Sequence, residues 1–349
     1  MQDTHVVIMA GGIGSRLWPL STPQTPKQFI DVLGIGRSLI QLTADRFAPL
    51  CRPDHFWVVT AERYVDTVKA QLPDIPAEQI LAEPVARNTA PCIAYACWKI
   101  ASRFPGANIV VTPADALVLK SEKFAELIRK ALLFTEKNSA IVTVGITPTR
   151  PETGYGYIHA DRAVQDEIVK VSAFKEKPDL ATAERYLAAG GYFWNAGIFV
   201  WNVRTVVDQL RRFAPQIAGV MDALAPAFYT DGEQAALRKL FPGCDKISID
   251  YALMEKSPDI HVIAGELGWS DLGSWGSVKG HIAHDANGNA VVGTDVRLFD
   301  TRDCIVHVAG AKTVVIQGLD GCIVSEKDGR LLICRLSAEQ HIKEYAADA

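Results

Sequence analysis

The chain has 349 residues, and its content of 48% hydrophobic and 22% charged residues is typical of a globular protein with one large domain or two. The 36 Lys and Arg residues are nearly balanced by 40 Asp and Glu residues, for a formal net charge of -4. This balance argues against a nucleic-acid partner, although it allows a local basic pocket. The chain lacks an apolar stretch of about 18 residues, and its first residues do not resemble a secretory signal, so we expect a cytoplasmic protein with no membrane partner.

Short apolar stretches alternate with helical patterns over roughly the first 150 residues. Lys123–Lys137 has apolar residues at helical spacing, and a second helix is expected to begin near Asn88 and Thr89, with Pro91 in its first turn. Four strands are predicted: Thr4–Ala10, Phe56–Thr60, Asn108–Thr112 and Ala140–Gly145. The alternation predicts an α/β fold with a mostly parallel sheet, in which ligands bind beyond the carboxyl ends of the strands.

The pattern changes twice further along the chain. Between about residues 146 and 205, extended stretches rich in Gly and aromatic residues predict an antiparallel addition that closes over the ligand edge, and Gly197–Asn202 is its last part. From about residue 285, short β segments are separated by turn signals and followed by a short helix near Ala338–Tyr345. We therefore predict a large α/β domain over residues 1–284 and a small β domain over residues 285–349.

A glycine-rich loop follows the first predicted strand. Glycines let the backbone approach an anion closely, and Arg16 adds a fork of donors; Lys27 follows as a second cation. The candidate nucleotide-binding residues of this loop are Ala10, Gly11, Gly12, Gly14, Ser15 and Arg16. Two cations and such a loop suit a polyphosphate, while a tight turn with surface cations is the alternative interpretation.

Two familiar phosphate-binding motifs do not fit this loop. The Walker A pattern GxxxxGK[ST] does not occur in the sequence. The dinucleotide-binding pattern fits only in part, because Leu17 stands where its third glycine is expected and Pro19 interrupts the helix that should follow. An NAD-dependent dehydrogenase is therefore disfavoured.

An ordered set of motifs resembles those of the sugar-phosphate nucleotidyltransferases. The residues of these motifs are most similar to the mannose-1-phosphate guanylyltransferase branch of that family. The first motif is GGxGxRLWPLS, followed after a short spacer by PKQF. Further strings match in order: Glu83–Pro84, Arg87–Pro91, Pro113–Asp115, Glu152–Ile158, Phe174–Pro178, Trp194–Phe199, Ile249–Tyr251 and Trp269–Trp275. Together they cover residues 6 to about 275, and so large an ordered set is far more specific than one glycine loop.

The resemblance implies an enzyme that transfers GMP from GTP to mannose 1-phosphate with the help of Mg²⁺. It implies a Rossmann-like nucleotidyltransferase domain with a mixed, mostly parallel sheet, followed by a β domain similar to a short left-handed β-helix. We also expect a homodimer. Longer relatives carry an isomerase domain after this point, so a monofunctional enzyme is expected. The runner-up is a nucleotidyltransferase for another sugar 1-phosphate or nucleotide, and the alternative of another class is a non-catalytic nucleotide-sugar-binding regulator.

The resemblance also implies roles for single residues. Arg16 and Lys27 are expected to bind the β- and γ-phosphates, and Lys177 the sugar phosphate. The metal ligands are expected to be Asp115 and Asp271, for which a turn or helix-cap role is the alternative. The base site is expected to use Glu83, Asn88 and Thr89, for which a helix-capping segment is the alternative. The sugar site is expected to use Gly154, Glu176 and Asn195, with an ion pair between Glu176 and a neighbouring lysine as the alternative for Glu176.

One position departs from the pattern of many relatives. They read PSDH around the first metal aspartate, whereas this chain has Ala114 and Ala116 on either side of Asp115. Any contact from that histidine is lost, while the carboxylate stays.

Overall fold

The computed structural model describes residues 3–12, 14–160, 167–310 and 313–347. Packing divides the chain into two compact units. The first unit contains Met1–Gly11, Ala44–Pro113 and Val118–Trp269, and the second contains Gly12–Thr43, Ala114–Leu117 and Ser270–Ala349. The division at residue 284 is a sequence-based prediction and remains one; packing joins residues 12–43 to residues 285–349 in the second unit.

The strands are β1 Thr4–Met9, β2 Phe56–Ala61, β3 Ile80–Glu83, β4 Asn108–Pro113, β5 Leu117–Val118, β6 Ile141–Ile146, β7 Tyr157–His159, β8 Ile168–Lys170, β9 Ala173–Lys175, β10 Tyr192–Asn202, β11 Ile260–Ala264, β12 Trp269–Ser270, β13 Ala290–Val292, β14 Asp295–Phe299, β15 Ile305–Val308, β16 Thr313–Gln317, β17 Cys322–Lys327 and β18 Arg330–Arg335. All four strands predicted for the first 150 residues are confirmed.

The helices are α1 Leu39–Phe47, α2 Val65–Gln71, α3 Thr89–Arg103, α4 Ser121–Lys137, α5 Leu180–Ala189, α6 Val203–Phe213, α7 Pro215–Leu224, α8 Glu233–Leu240, α9 Trp275–Lys279 and α10 Ile342–Ala347, with a π-helical turn at Asp250–Met254. Both helices predicted for the first 150 residues are confirmed as α3 and α4. In the part of the chain that the structure describes, none of them is long and apolar enough to cross a bilayer.

The first unit is built on one mixed sheet with the strand order β3-β2-β1-β4-β10-β6-β11-β8. β1 is parallel to β2 and β4, and β2 is parallel to β3. In a second set, β6 is parallel to β11. Within each set, the carboxyl ends of the strands therefore lie at the same edge of the sheet. Val6, Val7 and Ile8 of β1 are fully buried, as expected for a central strand covered on both faces. The predicted α/β fold is confirmed.

The prediction for Gly197–Asn202 is wrong in its placement. Phe199–Asn202 does not lie in an addition over the sheet: residues 199–201 pair antiparallel with both β4 and β6 inside the sheet, and Asn202 pairs with β4. Its side chains explain this position, since Phe199, Val200 and Trp201 are at most 1% exposed and need cover on both faces. Only the first half of β10 joins an addition, where it pairs with β7, and β7 pairs with β9.

The helices after β10 supply much of the first unit's hydrophobic core, and none of them was predicted from the sequence. α6 begins where the Asn202 side chain accepts a hydrogen bond from the Arg204 backbone N–H. Its inward face carries Val203, Val206 and Leu210, which are fully buried at helical spacing. They pack in one cluster with residues of α3 and α7.

Strands β13 to β18 in the second unit stack mostly in parallel. β13, β15 and β17 pair in parallel with β18 antiparallel at the edge, and β14 pairs in parallel with β16. Paired residues such as Ile305 of β15 and Ile323 of β17 lie on successive turns of the chain. Pairing of every second strand is the arrangement of a short parallel β-helix. The β strands predicted after residue 285 are therefore confirmed, and the predicted final helix is confirmed by α10.

Candidate active site

Lys27 lies at the centre of a cluster of predicted site residues in the second unit. It lies on a 3-10 turn after Pro26 and is only 4% exposed. Its Nζ lies 2.6 Å from the Asp271 carbonyl oxygen and 2.9 Å from Asp115 Oδ2. A buried ammonium group needs oxygen partners, and these two contacts supply them. The structure therefore brings together one predicted phosphate-binding cation and both predicted metal aspartates.

The glycine loop packs directly on this lysine. Gly14 has a φ of 72°, and a Cβ added there would lie 2.6 Å from the Lys27 Cβ. Only glycine fits, because both the left-handed backbone and the close approach exclude a side chain. A Cβ at Gly12 would meet none of the described atoms within 4 Å, so this glycine leaves open space above the loop. Ser15 and Arg16 follow in a 3-10 turn, where Arg16 is partly exposed.

Asp115 and Asp271 are suited to a hard divalent cation. The Asp115 side chain is 37% exposed and follows β4 by two residues. Asp271 Oδ1 accepts a hydrogen bond from the Gly273 N–H at 3.0 Å, and Leu272 between them has a φ of 45°. The Asp115 carboxylate already contacts one cation, the Lys27 ammonium, and the backbone carbonyl of Asp271 contacts the same ammonium. The two carboxylates therefore fit Mg²⁺ completed by water and substrate oxygens. Across the described ranges, no cluster of three or more His, Cys, Asp or Glu side chains is arranged as a complete metal cage.

Glu83 in the first unit is a buried acid at the carboxyl end of β3. It is 8% exposed, and burial raises its pKa to about 8. Its Oε1 has no hydrogen-bond partner among the described residues, and a Cβ added at Gly11 would lie 4.0 Å from its Oε2. An unsatisfied buried carboxyl beside the glycine loop is the kind of group that a ligand satisfies.

Asn88 and Thr89 organise the start of α3. Asn88 has a φ of 69°, and its side chain accepts a hydrogen bond from the Thr89 N–H at 2.8 Å. Thr89 Oγ1 accepts a hydrogen bond from the Ile249 N–H at 2.9 Å, and Arg87 donates to the Pro242 carbonyl. Asn88 therefore caps α3, Thr89 connects the start of the helix to Ile249, and the nucleotide-binding role of both residues stays a prediction.

The predicted sugar residues surround Gly156 in the first unit. A Cβ at Gly156 would lie 2.6 Å from Glu176 Oε2 and 3.5 Å from the Asn195 Cβ, so both residues are its neighbours. Lys177 donates to Glu176 and has a φ of 45°, an uncommon conformation for lysine. Gly154 lies two residues earlier, where its N–H donates to Glu152 Oε1 at 2.9 Å. The structure thus groups Glu176, Lys177 and Asn195.

Asp250 and Glu255 belong to this group and were not predicted. Asn195 Nδ2 donates to Asp250 Oδ1 at 3.1 Å, and the Glu176 N–H donates to Glu255 Oε1 at 3.0 Å. Burial and the nearby Glu176 raise the pKa of Asp250 to about 6. The available signal was the string Ile249–Tyr251, which contributes to the family resemblance but to which no role was assigned.

A glycine loop after the first strand of an α/β sheet, with a buried lysine between two aspartates, defines an enzyme that handles phosphate groups. The chain belongs to the nucleotidyl transferase family, whose model matches residues 5–287. The family predicted from the motifs and the prediction of a nucleotidyltransferase enzyme are therefore confirmed.

Comparisons with individual proteins agree with this family. The alginate biosynthesis protein AlgA of Pseudomonas aeruginosa is 36% identical over 353 residues, which cover 98% of this chain and 71% of AlgA. A mannose-1-phosphate guanylyltransferase of Escherichia coli is 33% identical, over 97% of this chain and 74% of the relative. A solved structure from Thermus thermophilus, described as a mannose-1-phosphate geranyltransferase, has a TM-score of 0.90 and 30% identity, covering 100% of this chain and 99% of that one.

Proposed function

We propose that the protein transfers GMP from GTP to α-D-mannose 1-phosphate, forming GDP-mannose and pyrophosphate. In this reaction the phosphate oxygen of the sugar phosphate attacks the α-phosphorus of GTP, and the bond from that phosphorus to the bridging oxygen of the β-phosphate breaks. The observation that carries the proposal is the contact of Lys27 with Asp115 and Asp271 beside a glycine loop, in a family of nucleotidyltransferases. The E. coli and T. thermophilus relatives named after mannose 1-phosphate support this substrate.

Both reactants are anions, so positive charge and positioning do most of the work. Lys27 and Arg16 are the cations for the departing pyrophosphate, where negative charge accumulates. Lys177 is the cation for the sugar phosphate, and its contact with Glu176, which is itself proposed for the sugar site, supports this role. A direct in-line displacement needs no covalent intermediate with the protein.

The proposed Mg²⁺ would be held by Asp115 and Asp271. When bound, it would neutralise phosphate charge and help to align the substrates. The chain's own contribution is to hold the two aspartates with one buried lysine, which keeps their positions fixed before any ligand arrives.

We expect Glu83 to read the guanine base, because a carboxylate can accept hydrogen bonds from the two adjacent N–H groups on guanine's edge. The raised pKa leaves Glu83 mostly protonated at pH 7, so GTP binding should require loss of a proton. The KM for GTP should then fall about tenfold per pH unit from pH 6.5 towards 8 and level off above it.

Glu83→Gln should remove this pH dependence and lower the preference for GTP over ATP about tenfold or more. The measurement is KM for both nucleotides between pH 6.5 and 8.5, with the exposed Glu62→Gln as the matched control. A wild-type KM for GTP that does not change over this range contradicts the assignment.

A substrate panel tests the proposed function directly. GTP, dTTP and UTP are combined with mannose, glucose and fucose 1-phosphates, and pyrophosphate release is measured. We expect the pair of GTP and mannose 1-phosphate to have the highest kcat/KM, by about tenfold or more over the next pair. A higher value for another pair would establish the runner-up function, and no release with any pair would support a non-catalytic regulator.

A cytoplasmic location and a homodimer complete the proposal. β18 lies at the edge of its sheet, and its residues Leu331 and Ile333 are each 57% exposed. A second copy of the chain would cover this apolar edge. A monomeric mass in solution would refute the homodimer, and cell fractionation would test the location.

A further inference from the structure

One short segment of the first unit supports two of the predicted sugar-site residues. Asp250 begins the π-helical turn Asp250–Met254, and Glu255 follows it, with its N–H bonded to the Asp250 carbonyl at 2.9 Å. The Asp250 side chain contacts Asn195, and the Glu255 side chain contacts the Glu176 backbone. A π-helical turn is rare in proteins and is often found at functional sites.

The side-chain amide of Asn195 is held in one orientation. Its Oδ1 accepts hydrogen bonds from Thr143 Oγ1 at 3.0 Å and from the Gly197 N–H at 3.1 Å, and its Nδ2 donates to Asp250 at 3.1 Å. The oxygen is therefore occupied by two donors, and one of the two Nδ2 hydrogens is used. The second Nδ2 hydrogen is the group of this amide that can bind a ligand oxygen.

The backbone places Asn195 at an irregular point of its strand. The pairing of β10 with β6 shifts register between Asn195 and Phe199, because a bulge interrupts the ladder there. Bulges redirect side chains next to active sites, but they also loosen the local backbone. A hydrogen-bond partner on another element is therefore needed most by a side chain at a bulge, to hold its orientation. Asp250 is that partner for Asn195.

The charges around Asp250 make this anchor sensitive to protonation. Glu176 raises the pKa of Asp250 and Lys177 lowers it, and the Ser248 side chain also bonds to the carboxylate. The hydrogen bond from Asn195 is stronger to a carboxylate than to a neutral acid. The hydrogen bond that orients the Asn195 amide should therefore weaken as Asp250 gains a proton near pH 6.

We propose that Asp250 is a positioning residue of the sugar site, which orients the Asn195 amide as a hydrogen-bond donor to a sugar oxygen. Glu255 has the matching task for Glu176, since it fixes the backbone from which that side chain extends. This inference rests on the proposed function, because the sugar site is defined by it. It adds to that function a segment, residues 250–255, that sets the affinity for the sugar phosphate without touching the nucleotide.

The first test compares Asp250→Ala and Asp250→Asn with the wild type. Asp250→Ala should raise the KM for the preferred sugar 1-phosphate about tenfold or more, the scale of one lost hydrogen bond to a charged group, while the KM for GTP changes less than about twofold. Asp250→Asn keeps an acceptor oxygen but loses the charge, so at pH 8 it should recover part of this loss. The exposed Asp245→Asn, five residues earlier, is the matched control and should behave as the wild type.

The pH dependence separates positioning from a merely structural role. Below about pH 6 the wild-type carboxyl is protonated and resembles the neutral amide, so the KM values of wild type and Asp250→Asn should converge at pH 5 and differ several-fold at pH 8. Taking the ratio cancels the titration of the substrate itself. A ratio that is the same at both pH values, or an equal rise in the KM for GTP, overturns the proposal.

A second readout does not depend on activity. In NMR spectra, the side-chain NH₂ signals of Asn195, assigned with Asn195→Asp, should shift with a midpoint near pH 6 in the wild type and stay constant in Asp250→Asn. Signals that do not titrate in the wild type overturn the proposal even if the substrate panel fails. If the panel succeeds and these signals do not titrate, the proposed function stands and the role of Asp250 does not.

Discussion

Replacing Lys27 with methionine is expected to lower kcat/KM by about a hundredfold to a thousandfold while the protein remains folded. Methionine preserves most of the buried volume, so the main loss is the ammonium group that contacts Asp115 and Asp271. That charge is expected to stabilise the departing pyrophosphate, and removal of a single such donor typically costs about 10²–10³ in rate. Pyrophosphate release measures the loss, and thermal unfolding checks that the fold is retained.

The matched control is Lys279→Met, in the same unit. The Lys279 side chain is 11% exposed and pairs with Asp303, so it is also a nearly buried, ion-paired lysine, but it is not part of the predicted site. Its variant should keep kcat/KM within about threefold of the wild type. If both variants lose activity equally, the role of Lys27 is structural rather than catalytic.

Replacing Asp115 with asparagine should have an effect of similar size by a different route. Asparagine keeps the shape but loses the charge that contacts Lys27 and that is proposed to bind Mg²⁺. We expect kcat to fall about a thousandfold and the Mg²⁺ concentration needed for half-maximal rate to rise about tenfold or more. Activity titrated with MgCl₂ measures both, and the exposed Asp300→Asn in the same unit is the control.

The double variant of Lys27 and Asp115 distinguishes one cooperating unit from two separate sites. Residues that act as a unit show strongly non-additive losses. Because their side chains are 2.9 Å apart, the double variant should be little worse than the poorer single one. Fully multiplied losses would mean that the two residues act independently, and would contradict the arrangement described for this site.

The parts of the site that depend on local chain order were predictable. Glycines after a strand, lysine after proline and an aspartate after a buried strand are short-range patterns, and the structure places Gly14, Lys27 and Asp115 together. Asp271 was assigned to the same site only through the family resemblance, because it lies 244 residues from Lys27 along the chain. Such a distant contact has no signature in spacing or periodicity.

The features that sequence patterns did not predict depend on packing between distant segments. Asp250 meets Asn195 across 55 residues, and Glu255 meets Glu176 across 79. The position of Phe199–Asn202 inside the sheet was not predicted. A strand buried on both faces of a sheet and a strand in a segment that covers the sheet can both be apolar, so composition does not distinguish them. The neighbours of that strand, β4 and β6, decide between these alternatives, and pairing partners are not encoded locally.

The second unit draws its residues from both ends of the chain, with consequences for synthesis. Residues 12–43 leave the ribosome early, but their partners in this unit are residues 270–349, and the oxygen that receives the Lys27 ammonium belongs to Asp271. Contacts this distant form late, because both segments must first exist. A nascent chain can therefore pair β1 with β2 and β4 long before it can complete the surroundings of Lys27, because Asp271 is made much later.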